Sequence, residues 1–273
     1  MTSSRSSTPA DVDEASSAQR KAATLRALHV PGDPLVVPNA WDAASAAMVT
    51  DAGFPVVATS SAATASVLGY ADGEAASVEE VLAATARIVR AVSVPVTVDF
   101  EHGYGLAAPE LVERFTNTGA VGLNLEDSNP STGEMIDPAQ QAEFLASVRE
   151  AAASLGVDLV IKARTDSFLR QAGSPTDQLD ATLERGSRYL AAGADCIYPI
   201  SVTDFAVICR LVDGTAGPIN VVYGRRGERP LAELAALGVA RVSFGPSLQR
   251  QLYTKFGAPL FAALVADENP FLL

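Results

Sequence analysis

Residues 117–123 read Asn-Thr-Gly-Ala-Val-Gly-Leu, and residues 191–197 read Ala-Ala-Gly-Ala-Asp-Cys-Ile. Each is the end of a helix, a glycine, and the opening of a β-strand, because glycine supplies the left-handed residue that stops a helix. The device recurs in Asp51-Ala-Gly-Phe-Pro-Val-Val57 and in Ala236-Leu-Gly-Val-Ala-Arg-Val242, and Gly156 precedes another β-branched run. Working outward, eight short runs read as strands: Leu35–Asn39, Pro55–Ser60, Pro95–Glu101, Val121–Glu126, Asp158–Thr165, Asp195–Ile200, Pro218–Tyr223 and Val239–Phe244. Helix-period stretches lie between them, among them Ser77–Val92, Pro138–Leu155, Thr176–Ala192 and Leu231–Leu237. Eight strands alternating with helices predict an α/β fold of the (β/α)8 TIM-barrel type over residues 23–273, as one domain. A doubly wound sheet is the runner-up, disfavoured because no GxGxxG or GxxxxGK phosphate loop is present.

Composition agrees. The chain has 273 residues, 48% hydrophobic and 19% charged, which excludes wholesale disorder and coiled coil. Its net charge of −12 argues against nucleic acid and anionic membrane as partners. Cys196 and Cys209 show no metal-ligand spacing and read as small core residues of a reducing compartment. No apolar stretch is long enough to span a membrane, and the Ser/Thr/Asp-rich residues 1–22 lack the apolar centre of a signal peptide. The expectation is a cytoplasmic protein with a disordered tail over 1–22. The last helical run, Pro246–Ala266, ends in Asn269-Pro-Phe-Leu-Leu, a tail apolar enough to pack against something.

In a barrel, chemistry sits at the C-terminal strand ends. Side chains alternate along a strand, so in Pro95-Val-Thr-Val-Asp-Phe-Glu101 the apolar Val98 and Phe100 belong under the helices, while Asp99 and Glu101 face the barrel mouth. By the same count Asn124 and Glu126 face in, as do Lys162 and Arg164. Three carboxylates and two cations thus meet at one mouth. Like charges so close call for a cation, and all-oxygen ligation favours Mg²⁺ or Mn²⁺. Arg164 is then expected to be free to fork onto a substrate carboxylate. Ser60 and Ser61, ending the second strand, can hold a carboxylate through hydroxyl and backbone N–H groups. His102 and His29 are read as a solvent-facing loop residue and a residue remote from the chemistry.

These residues resemble the isocitrate lyase / phosphoenolpyruvate mutase superfamily. The carrying segments are Val37-Pro-Asn-Ala-Trp-Asp42, Thr59-Ser-Ser61 with Leu68-Gly-Tyr-Ala-Asp72, Val98-Asp-Phe-Glu-His-Gly-Tyr-Gly105, Gly122-Leu-Asn-Leu-Glu-Asp127 and Lys162-Ala-Arg-Thr-Asp166. The resemblance implies a barrel whose last helix is exchanged between subunits, in a dimer or tetramer, and a Mg²⁺ site that binds a 2-oxo acid or its enolate. It implies Asp99 as the direct metal ligand, with Asp72, Glu101 and Glu126 holding the waters of the ion. It implies Arg164 on the substrate, Ser60, Ser61 and Ala62 on the pyruvoyl group, and Asn220 as a further substrate contact.

The loop after the fourth strand departs from the pattern. Asp127-Ser-Asn-Pro-Ser-Thr-Gly-Glu-Met135 lacks the Lys-Lys-Cys-Gly-His motif of isocitrate and methylisocitrate lyases and the lysine of the mutase, and Ile200 stands near the mutase's histidine position. The general base is therefore open, with Glu134 or a metal-bound water as candidates. The reading is a Mg²⁺-dependent carbon–carbon lyase acting on a small 2-hydroxy or 2-oxo dicarboxylate through an enolpyruvate-like intermediate. Its rivals are a phosphonopyruvate/phosphoenolpyruvate-type P–C enzyme, an oxaloacetate hydrolase or decarboxylase, and a catalytically silent oxoacid-binding homologue.

Overall fold

The computed structural model describes residues 9–171, 173–224 and 230–272. Nine strand segments run parallel: β1 (Leu35–Val37), β2 (Asn39–Ala40), β3 (Val57–Thr59), β4 (Val96–Asp99), β5 (Gly122–Glu126), β6 (Val160–Thr165), β7 (Cys196–Pro199), β8 (Asn220–Val222) and β9 (Arg241–Ser243). They pair in the orders β2-β3-β4-β5-β6-β7 and β1-β9-β8. A parallel bridge between Ile197 and Ile219 joins β7 to β8. The other seam is Pro38, which has no N–H to give the ladder and splits one strand into β1 and β2. Asn39 sews that seam: its Nδ2 donates to the Thr59 carbonyl at 2.6 Å, and its Oδ1 accepts from the amides of Phe244 and Gly245 at 2.7 and 3.0 Å. The sheet thus closes as a barrel of eight strand positions, which displaces the doubly wound alternative.

The expected strands match the observed ones, with β2 reaching Ala40, one residue beyond the expected Leu35–Asn39, and the helices follow at Val78–Ala91, Pro138–Ser154, Pro175–Ala191 and Leu231–Ala236. Gly53, Gly119, Gly156, Gly193 and Gly238 all take positive φ, as the helix–Gly–strand reading requires. Leu123, Leu125, Ile161, Ala163, Val98 and Phe100 are buried in the core beneath the helices, so the alternation places the acids and cations inward as expected.

Of the tail expected over 1–22, residues 1–8 lie outside the described residues, and Pro9–Ala27 form a helix. Its C-terminal end closes the barrel floor: Ala22 and Leu25 are fully buried with Leu35, Val37, Val121 and Val160. A Cβ on Gly122 would stand only 2.7 Å from Leu25 Cδ2, so glycine there is what lets the plug seat. Gln19 Nε2 donates to the Gly156 carbonyl at 2.9 Å, and Arg26 joins Asp195 at 2.8 Å and Asp158. The physical cause is tertiary, since a Ser/Ala-rich helix with few apolar residues is held by the contacts of its last turns. The C-terminal run is helical as expected, over Ser247–Gln251 and Ala258–Val265, with a π-helical stretch at Leu252–Gly257.

Beside this plug lies His29, 7% exposed, its Nδ1 2.8 Å from the Leu25 carbonyl and its Nε2 3.3 Å from the Arg241 guanidinium. Burial, and then the charge of Arg241, lower its pKa to about 4. A depressed histidine contributes stability that is complete above its ordinary value of 6.5 and is lost as pH falls through 4. The loss amounts to about 3 kcal/mol. Urea unfolding of the wild type should therefore weaken between pH 6.5 and 4, and His29→Gln should flatten that slope.

Candidate active site

The site grows from Asp99 at the end of β4. Its Oδ1 accepts from Asn124 Nδ2 on β5 at 2.7 Å, and its Oδ2 accepts from the Ser61 hydroxyl and amide at 2.9 and 3.1 Å. Ser61 opens a helix over Ser61–Leu68 whose N-cap, Ser60, makes no side-chain cap bond, so the Asp99 carboxylate takes up a first-turn N–H. Burial works to raise Asp99, but Arg164 and Lys162 outweigh it and hold its pKa below the ordinary carboxylate value.

Glu101 belongs to a reciprocal clamp between two loops. It accepts from the Tyr104 hydroxyl at 2.6 Å and from the Glu74 amide at 2.7 Å, while the Glu74 carboxylate accepts from the amides of His102 and Tyr104 at 3.0 and 2.7 Å. Glu74, Glu101 and Tyr104 all hold left-handed backbone, a strained arrangement retained by these bonds. Sequence reasoning missed Glu74; its signal was a Gly-Glu pair directly after Asp72. Burial, then Asp99 and Asp72, push Glu101 up to about 7 against the pull of the Tyr104 hydroxyl. Asp72 is raised too, by burial and by Asp99. His102 is half-buried, with Nδ1 3.0 Å from the Glu126 carbonyl, and does not simply face solvent.

Arg164 is where expectation and structure part. Its guanidinium is not free. NH1 stands 2.5 Å from Glu126 Oε2, and Nε and NH2 fork onto Asp166 at 2.7 and 3.1 Å. Asp166 is held in turn by the Ser128 hydroxyl at 2.8 Å and through its own amide on Asp127 at 2.8 Å. Asp127 is fully buried and accepts from Arg185 at 2.9 Å and from the Tyr189 hydroxyl at 2.8 Å. Burial works against the charge on Arg164, but Glu126, Asp166 and Asp99 raise its pKa and keep it a cation. The positions 127 and 166 stood in the quoted motifs, but only packing shows that Asp166 grips Arg164 and that Asp127 holds Asp166.

A cavity of about 560 Å³ opens at the mouth. Ser60, Ser61, Ala62, Asp72, Asp99 and Arg164 line it. Glu101 and Glu126 lie behind this lining. Asn220 is fully buried, donating to the Ser243 hydroxyl at 3.2 Å, and does not line the cavity, contrary to its expected place at the substrate. Glu134 is exposed and also outside the lining. Its loop folds onto itself through Asn129 N–H to the Glu134 carbonyl and Ile136 N–H to the Asp127 carbonyl, both 2.8 Å.

Among the described residues no three His, Cys, Asp or Glu side chains converge to ligate one ion by themselves. That donor set does not suit a dedicated all-protein cage. It does suit Mg²⁺, which keeps several waters and takes one or two carboxylates, here Asp72 and Asp99 on the cavity wall. Burial raises both Asp72 and Glu101, and the charge of Asp99 raises them further, a repulsion that a cation would relieve.

The family model described as phosphoenolpyruvate phosphomutase matches residues 25–263. The chain belongs to that family. Among curated relatives, 2,3-dimethylmalate lyase of Eubacterium barkeri is 31% identical over 261 residues, covering 91% of this chain and 87% of that one. Among solved structures, a Burkholderia cenocepacia J2315 protein described provisionally as a phosphonomutase superposes with a TM-score of 0.83 at 42% identity, over 88% of this chain and 98% of that one. Phosphonopyruvate hydrolase, solved with oxalate and Mg²⁺, shares the fold at a TM-score of 0.80 and 23% identity, over 91% and 88%. The protein is an enzyme of the isocitrate lyase / phosphoenolpyruvate mutase superfamily with a TIM-barrel fold.

In this family member the pair Asp127–Arg185 is the anchor of the arginine platform. Removing one member of a buried pair leaves an uncompensated charge and costs about 3–5 kcal/mol. Asp127→Ala should show that loss in urea unfolding, whereas exposed Glu134→Ala should change stability by under about 0.5 kcal/mol.

Proposed function

We propose that the protein is a Mg²⁺-dependent carbon–carbon lyase that cleaves a small 2-hydroxy or 2-oxo dicarboxylate through an enolpyruvate-like intermediate. The observation that carries this reading is the shared cavity of Asp72, Asp99, the Ser60–Ala62 turn and Arg164. Asp99 and Asp72 would hold the ion, with Glu101 and Glu126 behind them, and the bound ion, for which Mn²⁺ can substitute, supplies Lewis-acid polarisation of the 2-oxygen.

The chain's own groups do the rest. The first turn of the Ser61–Leu68 helix presents N–H groups to a carboxylate; that of Ser61 is spent on Asp99, which leaves Ala62 N–H for the ligand. Arg164 acts as a fixed positive charge, since its fork is spent on Asp166. A preorganised cation stabilises an oxyanion where it develops without reorganising. The loop over 127–136 brings no proton donor or acceptor into the cavity, which separates this site from chemistry that relies on a loop cysteine.

A second reading is a P–C enzyme, favoured by the 42% identity to the phosphonomutase-like protein. Turnover of a panel of 2-hydroxy diacids, 2-oxo diacids and phosphonopyruvate, with pyruvate, phosphate, phosphoenolpyruvate and oxalate all read as products, decides between them. A protein that binds oxalate with Mg²⁺ but turns over no member is the silent homologue. Isocitrate should not be cleaved usefully, because loss of a general acid costs about 10²–10⁴-fold.

Oxalate, a planar mimic of the pyruvate enolate, should raise the melting temperature only with Mg²⁺ or Mn²⁺ present. At a hundredfold excess over Kd the stabilisation is about 2.7 kcal/mol. EDTA, Asp99→Ala and Arg164→Ala should each abolish it; equal stabilisation without metal would overturn the site.

We further propose an oligomer, a dimer or tetramer, in which the C-terminal helix packs on a neighbouring subunit. Phe261, Leu264 and Val265 on that helix are 70%, 59% and 90% exposed in the single chain and share one helix face, an apolar surface of the kind that marks an interface. Light scattering of the intact chain should show no monomer, and ending the chain after residue 257 should shift it toward one.

A further inference from the structure

A carbon–carbon bond that breaks beside a carboxylate or 2-oxo group leaves its electron pair on a carbon that must then take a proton. Among the described residues the usual donors are absent from the cavity wall: His29, His102, Cys196, Cys209 and the whole loop over 127–136 lie outside the lining, and Ile200 on it carries no proton to give. The Ser61 hydroxyl is engaged by Asp99. Tyr198 is different. It stands on β7 directly opposite Arg164 of β6, as Cys196 stands opposite Lys162. Ile197 between them is buried under the helices, so Cys196 and Tyr198 take the inner face of the barrel. Tyr198 is 7% exposed and lines the cavity. Among the described residues the buried side-chain polar atoms left unpaired are Asn124 Oδ1, Asn220 Oδ1 and Arg241 Nε. The Tyr198 hydroxyl is not one of them, yet no protein group bonds it, so it opens into the cavity. Burial keeps this phenol protonated, above its ordinary value of 10.0, while Arg164 pulls the other way. Against the face of the ring lies the Lys162 Nζ, 4.5 Å from its centre. A cation there is attracted to the ring, and more strongly to the phenolate that forms when the proton leaves.

Resting on the lyase reading above, we propose that Tyr198 is the proton donor of the reaction, its hydroxyl protonating carbon 3 of the substrate, and that Lys162 is a positioning residue that supports it through the ring face. In this step the carbon–carbon bond breaks and its electron pair comes to carbon 3, directly for a 2-hydroxy diacid and through the enol of the product for a 2-oxo diacid. A C–H bond forms there, the Tyr198 O–H bond breaks, and its pair stays on the phenolate beside Arg164 and Lys162. A proton from water then restores the phenol. For a 2-hydroxy diacid it matches the proton the 2-hydroxyl gives up; for a 2-oxo diacid it is the one consumed as carbon dioxide leaves. No oxidant or reductant enters.

The test compares the full chain as wild type, Tyr198→Phe, Tyr223→Phe, Lys162→Met and the double variant Lys162→Met/Tyr198→Phe. Pyruvate release is measured with Mg²⁺ from oxaloacetate, 2-methylmalate and 2,3-dimethylmalate, and the thermal shift given by oxalate with Mg²⁺ is measured in parallel. Tyr198→Phe should lower kcat by about 10²–10⁴-fold, the usual loss of a general acid, and should keep the oxalate shift of the wild type. Lys162→Met should cost about tenfold when Tyr198 is present and nothing further in Tyr198→Phe, whereas a merely structural role would cost the same in both backgrounds. A Tyr198→Phe protein that keeps the wild-type rate, or a large loss that falls on Tyr223→Phe instead, overturns the assignment and leaves the lyase reading standing. Loss of the oxalate shift together with turnover in Tyr198→Phe makes the residue a binding group and overturns the donor role. A wild type that releases pyruvate from none of the three overturns the lyase reading and this proposal with it.

Discussion

One buried guanidinium organises the mouth of this barrel. Arg164 sits between Glu126 and Asp166 with Asp99 close by, and in that setting neither sign is tolerable alone. A desolvated ion costs several kcal/mol unless paired with good geometry, so Arg164 keeps its charge through Glu126, Asp166 and Asp99, while burial pushes Glu126 itself up to about 9 against the pull of Arg164. Rigidity comes from further back. Asp127 receives the Asp166 amide, Arg185 and Tyr189, and thereby ties the strand-end arginine to the helix Pro175–Ala191. The outcome is a positive charge that cannot swing, aimed into a cavity whose facing wall carries Asp72 and Asp99.

The acids at the mouth are not equivalent, and position explains why. Asp99 feels both buried cations: Arg164 and, deeper in the barrel, Lys162, whose Nζ rests 4.5 Å from the centre of the Tyr198 ring. It is held ionised. Glu101 has no such partner; burial and the charges of Asp99 and Asp72 push it up to about 7. Lys162 shows the converse, with burial and then Arg241 lowering it to about 7 and Asp99 pulling it back. Carboxylates of similar sequence context thus acquire different protonation behaviour from the balance of burial and neighbouring charges, the pattern by which enzymes separate the roles of like groups.

Periodicity and punctuation were enough to specify the barrel: alternation told inward from outward residues on the strands, and glycines at helix ends marked the junctions, because both depend only on local backbone geometry. The same alternation set Asp99, Glu101, Glu126, Lys162 and Arg164 inside. What the residues do to one another was decided by the tertiary structure. That Arg164 is engaged by Glu126, that Glu74 clamps the Glu101 loop and that Asn220 lies out of the cavity on Ser243 follow from contacts between residues distant in sequence; that Arg164 forks onto Asp166 and that Glu134 turns away are settled at short range, by side-chain and loop geometry that no spacing rule encodes. The helix Pro9–Ala27 shows the same division: its composition is that of a tail, and it is ordered where Ala22 and Leu25 fill the barrel floor, a stabilisation that exists only once the strands around them have closed.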